Sequence, residues 1–170
     1  MPFTLSHVAA VLPGLTLRAS LWPAVPALVV GSMAPDLPYY LPLGMTREQS
    51  HSFVGAFGVT VVAVLIALLW DHVLARPARA FAPAGWRARL HEVPVRTRLC
   101  DLPLAVVAAY VGVLSHLALD APTHGDGALT MRWALLRQIV AGVPVWSWLM
   151  LLTSAAGLVL LAAAVVRVLR

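Results

Sequence analysis

Ser115-His116-Leu117-Ala118-Leu119-Asp120-Ala121-Pro122-Thr123-His124-Gly125-Asp126 stands at the end of Leu102 to Ser115, a run of fourteen residues without a formal charge. An ionisable side chain at membrane depth costs about 2.5–3.5 kcal/mol on insertion scales, so two histidines and two aspartates in such a place point to function. His116 and Asp120 are four apart, which puts them one turn from each other on one helix face.

The composition around this stretch sets the class. Of 170 residues, 61% are hydrophobic and 11% charged, with a mean hydropathy of +0.86. Soluble domains do not have that balance. Gln138 to Val166 and Phe53 to Trp70 are free of charge for 29 and 18 residues, and Leu102 to Leu119 is a third run of 18. Each is close to the roughly 20 residues that cross hydrocarbon. Met1 to Leu17 and Ala19 to Pro35 are also uncharged, but Pro13, Gly14, Pro23 and Pro26 interrupt them. They read as one or two short N-terminal membrane segments. The expected fold is all-α, a polytopic transmembrane helical bundle forming a single integral membrane domain over residues 1–170. Met1-Pro2-Phe3-Thr4 has no basic leading region, so no cleaved signal peptide is expected.

A net charge of +5 raises the question of nucleic acid. The basic residues are all arginine, however, and Arg76, Arg79, Arg87, Arg89, Arg96 and Arg98 share one segment between spans. Arginine-rich loops stay cytoplasmic, so residues 76–101 are read as an inside loop that touches anionic lipid, and no nucleic-acid partner is expected. The single cysteine, Cys100, carries no disulfide information.

Walking outward from that loop assigns sides. Phe53 to Trp70 begins at the outer face beside His51, and Leu102 to Leu119 carries His116, Asp120, His124 and Asp126 to the same face. Gln138 to Val166 returns inward to Arg167 and Arg170, leaving Arg132 and Arg137 on the outer loop between them. Ala19 to Pro35, running outward from Arg18, delivers Asp36 there. His7 joins them if Met1 to Leu17 also spans. His72 and His91 fall at the opposite end.

Imidazole nitrogen and carboxylate oxygen suit Zn²⁺, with Mn²⁺ or Fe²⁺ as alternatives. His7, Asp36, His51, His116 and Asp120 are therefore the candidate metal ligands, and a divalent ion, Zn²⁺ first, is the expected cofactor. Such an ion acidifies a bound water and polarises a carbonyl or phosphoryl oxygen. His124 and Asp126, in the turn after Pro122, are the candidates for orienting water or protonating a leaving group. Pro122 is expected to end its helix, and Ser50 or Ser52 to cap the span that follows them. Asp36, held between Pro35 and Pro38, also fits a solvated interfacial turn followed by Tyr39 and Tyr40 as anchors.

The opening Met1-Pro2-Phe3-Thr4-Leu5-Ser6-His7-Val8-Ala9-Ala10-Val11-Leu12-Pro13, the stretch Val30-Gly31-Ser32-Met33-Ala34-Pro35-Asp36, His51-Ser52 and His116 to Gly127 together resemble an uncharacterised bacterial membrane family, catalogued as a domain of unknown function. The same order of features is more distantly similar to LexA-regulated inner-membrane proteins described as metal-dependent hydrolases, with an early Thr-His, a Pro-Asp-x-Asp, a Thr-His-Ser and a late His-x-x-x-Asp. Carried over by position, that resemblance implies His7, Asp36, His51, His116 and Asp120 as ligands, and the bacterial plasma membrane as the location. Here Pro38 replaces the second aspartate, while Ser6 and Ser50 replace threonines. Losing that acid favours one metal over two.

The preferred expectation is a membrane-bound, metal-dependent hydrolase of an ester or phosphoester, with a small-molecule or lipid-derived substrate, working at the extracytoplasmic face. The competing expectation is a noncatalytic helical membrane protein whose His and Asp residues form a structural polar network. A proton-relaying transporter fits less well, because the acids sit at span ends.

Overall fold

The computed structural model describes residues 4–13, 24–91 and 97–169. Three segments are long and apolar enough to cross a membrane: Gly55–Ala80, Leu99–Arg132 and Val145–Arg167. Their main helices are α4 (Gly55–Leu69), α7 (Leu102–Thr123) and α9 (Val145–Leu169). Shorter helices fill in around them: α1 (Val8–Val11) after a 3-10 turn at Thr4–His7, α2 (Val25–Gly31), α3 (Arg47–Ser50), α5 (Ala75–Ala80), α6 (Ala84–His91) and α8 (Ala128–Arg132). The described sheet is one hairpin, β1 (Ile139–Val140) with β2 (Val143–Pro144). The chain is an all-α bundle, as expected.

Small residues make the interior and large apolar ones the outside. Ala27, Ala56, Ala63, Ala105 and Ala109 are buried with Val59 and Val113 in the core. Phe57, Val61, Leu65, Val107, Leu152 and Val159 face outward. A water-soluble protein would invert that arrangement. In lipid, hydrocarbon solvates the exposed faces and helices associate through close packing of small residues. α2, α4 and α7 pack against one another on this principle. A Cβ on Gly31 would run into the Ala109 carbonyl, and one on Gly112 into the backbone of Leu28, Gly31 and Ser32. Two glycines thus set how closely α2 meets α7, and that contact positions the functional residues beyond.

Several boundaries move from their expected places. The first span does not end at Trp70: it passes through a π-helical turn at Trp70–Leu74 into α5, so Arg76 and Arg79 extend the helix and do not belong to a loop. α7 also continues past Pro122 to Thr123. Pro122 thus lies within the last helical turn. The third span begins at Val145, because Ala141 and Gly142 take positive φ and turn the uncharged residues before it into the hairpin. Hydropathy cannot separate apolar hairpin from apolar helix. At the N-terminus α1 and α2 are four and seven residues long, and the intervening residues 14–23 lie outside the described part, as do residues 1–3.

Candidate metal centre

His7, Asp36, His51, His116 and Asp120, which belong to four separate stretches of chain, meet at one end of the bundle. His116 and Asp120 are supplied by α7, where His116 is fully buried and Asp120 5% exposed. Asp36 comes from a 3-10 turn, Ala34–Tyr39, stiffened by Pro35 and Pro38; it is buried, so the solvated-turn expectation does not hold. Tyr39 and Tyr40 beside it are exposed. His51 follows α3, which Thr46 and Gln49 fix with a reciprocal capping box. His7 ends the turn Thr4–His7 and stacks on His116 with ring centroids 3.8 Å apart. The conditional member of the set is in place.

Hydrogen bonds decide which nitrogen His116 and His51 offer, whereas both nitrogens of His7 are without one. His116 Nδ1 donates to the Ser32 carbonyl at 2.8 Å, and His51 Nδ1 to the Arg47 carbonyl at 3.0 Å. A carbonyl accepts only, so in a neutral ring the proton is on Nδ1 and the Nε2 lone pair is free. Backbone carbonyls orient metal-binding histidines in this way.

The freed atoms point at one another. His51 Nε2 lies 3.7 Å from Asp36 Oδ1 and 3.2 Å from Asp120 Oδ2, while His116 Nε2 lies 3.6 Å and 3.5 Å from the same two oxygens. Most of these separations exceed the 2.7–3.2 Å of an N–H···O bond. They do match the edges of a tetrahedron with metal–ligand bonds of about 2.1 Å, which are ~3.4 Å long. His7 Nε2 approaches the other oxygen, Asp120 Oδ1, at 3.5 Å. His7, His51 and His116 Nε2 and Asp120 Oδ1 are buried without a hydrogen-bond partner. Buried polar atoms are nearly always partnered, so four orphans converging on one spot are what a divalent cation would satisfy. His7, His116 and Asp120 form one such group, and Asp36, His51 and His116 another. Both groups share His116, which has one free nitrogen, and so they describe one centre.

The remaining sequence candidates sit beside this centre. His124 Nδ1 is 3.3 Å from Asp120 Oδ1, and Asp126, mostly exposed, pairs with Arg47. Neither serine is the N-cap of α4, which is Val54, but Ser52 Oγ accepts from the first amide of the helix, Gly55 N, at 2.9 Å, whereas the Ser50 hydroxyl donates to the Arg47 carbonyl. His72 lies beyond the far end of α4, roughly 25 Å along the helix from the His51 end.

The chain belongs to a family catalogued as Domain of unknown function (DUF4184), whose model matches residues 1–170. Comparison with curated proteins and with solved structures gives no match. The family thus assigns no chemistry, and the geometry has to carry it.

Three contributors to the site were not singled out from the sequence. Thr4 Oγ1 donates to Asp36 Oδ2 at 2.7 Å, the Ser32 carbonyl holds His116, and Arg47 NH2 lies 3.6 Å from Asp120 Oδ2. Arg47 is four residues before His51, the same spacing as His116 to Asp120, but outside a long charge-free run an arginine carries no such signal in the sequence.

Proposed function

We propose that this chain is a membrane-embedded, divalent-metal-dependent hydrolase of an ester or phosphoester, working at the extracytoplasmic face of the bacterial plasma membrane. The observation that carries the proposal is the meeting of two buried, unpartnered imidazole nitrogens, His51 and His116 Nε2, with Asp36 Oδ1 and Asp120 Oδ2 at 3.2–3.7 Å. Asp36, His51, His116 and Asp120 hold the ion, Zn²⁺ first and Mn²⁺ or Fe²⁺ next, and His7 is the fifth donor, on the Asp120 Oδ1 side. The bound ion supplies Lewis acidity and a water acidified toward neutrality.

A cleft of about 440 Å³ opens beside these residues and is lined by Arg47, His51, Asp120, His124 and Asp126. Substrate enters from that side. A water oxygen gives up a proton to His124 and bonds to the phosphorus or acyl carbon, the bond to the leaving oxygen breaks, and His124 passes that proton to the leaving oxygen. Asp126 keeps Arg47 at the cleft wall. The arginine bias of residues 76–101 supports the sidedness.

The noncatalytic network reading requires protons to bridge the same atoms, and three of the four separations, at 3.5–3.7 Å, are long for that, only His51 to Asp120 at 3.2 Å being short enough. Elemental analysis of purified protein tests the choice. We expect one transition-metal ion per chain, lost in His116→Ala together with hydrolysis of ester and phosphoester probes. A metal-free protein whose hydrolysis is indifferent to that substitution would refute the proposal.

A further inference from the structure

The centre lies between two openings of different character. On one side is the cleft, where Arg47 is the arginine of the lining and a quarter of its side chain is exposed. On the other is a groove of about 240 Å³, mostly apolar, that reaches His7 and runs between α1, α7 and α9 along Ala10, Leu119, Ala156, Gly157 and Leu160. From Thr153 to Leu160 it follows α9 for ~10 Å, beginning about eight residues inside that helix. It therefore lies at hydrocarbon depth, beside outward-facing Leu151, Leu152 and Val159. Small side chains make the hollow. Gly157 also lets α9 close against the Ser6 backbone, where a Cβ would sit 2.7 Å from the Ser6 carbonyl oxygen.

Resting on the hydrolase reading, we infer that the substrate is an anionic phosphate-bearing amphiphile, with its phosphate on Arg47 in the cleft and its acyl chain in the groove behind His7. Arg47 now divides its guanidinium between Asp120 and Asp126. An ion held by Asp120 takes up that carboxylate's charge and leaves Arg47 NH2, which faces it, to a phosphate oxygen, while NH1 stays on Asp126. A water-soluble phosphoester would have no use for a groove at hydrocarbon depth. A neutral lipid ester would have no use for Arg47. Only an amphiphile spans both openings and brings its scissile group to the centre.

The test is native mass spectrometry of zinc-loaded protein in mild detergent, with lysophosphatidate carrying an 18-carbon chain, glycerol 3-phosphate and the matching monoacylglycerol as probes. Lysophosphatidate should bind at least tenfold more tightly than either of the others. Ala156→Phe, which fills the groove from an exposed position, should cost lysophosphatidate about tenfold while the protein retains its zinc. Arg47→Gln should weaken both phosphate probes and leave monoacylglycerol unchanged. Equal affinity for glycerol 3-phosphate, equal affinity for monoacylglycerol, or indifference of lysophosphatidate to Ala156→Phe would each overturn the inference. Failure of the hydrolase reading is seen separately, in zinc content and turnover of the wild type.

Discussion

Replacing Asp120 by Asn separates a metal centre from a structural network by the sign of its effect. Asp120 is the hub of the site: His7, His51, His116 and His124 nitrogens lie 3.2–3.5 Å from its oxygens and Arg47 lies at 3.6 Å. If the histidines are neutral ligands, the metal-free protein buries a carboxylate facing lone pairs. Asn then removes that charge and offers an N–H₂ to the same lone pairs, each buried unsatisfied group being worth about 1–3 kcal/mol. The metal-free mutant should be as stable as wild type or more so. With metal at a thousand times its Kd, wild type gains about 4 kcal/mol. For 170 residues, at about 2–4 °C per kcal/mol, that is a rise in Tm of ~8–16 °C. Asp120→Asn should forfeit nearly all of it. The assay is thermal unfolding in detergent, with chelator and with added zinc. A structural ion-pair network predicts the reverse, a loss of about 3–5 kcal/mol in the mutant without metal and no metal response in wild type. That outcome would refute the reasoning.

Three further predictions follow from particular contacts. Thr4→Val removes the 2.7 Å hydrogen bond to Asp36 and should weaken zinc binding about 10–100-fold by calorimetry while the fold persists. Gly31→Ala places a methyl group on the Ala109 backbone and should cost about 1–3 kcal/mol, seen as a Tm lower by ~2–12 °C whether or not metal is present. Cys100, the free and exposed cysteine, lies with the arginine-rich segment. In intact cells a membrane-impermeant maleimide should leave it unlabelled and should label a cysteine introduced by Ala128→Cys; the opposite pattern would invert the sidedness of the site.

The sequence by itself determined the membrane class, the three long apolar runs, and the convergence of Asp36, His51, His116 and Asp120 at one end of the bundle, with His7 conditional on the first segment spanning. Each of these rests on a quantity that is local or additive along the chain: run length, charge bias and four-residue spacing. The same local quantities misplaced span ends, because apolar residues fill the hairpin before Val145 and the π turn after Leu69 as readily as they fill a helix. Only the tertiary structure decided which atoms of the five residues face one another. The free nitrogen of His116 is set by the Ser32 carbonyl, 84 residues away. Asp36 is held by Thr4 across 32 residues, and Arg47 reaches Asp126 across 79. Contacts between such distant positions leave no periodic trace in the chain. They arise when glycines let α2 meet α7, and the lone pairs, the cleft and the groove exist only after that packing has formed.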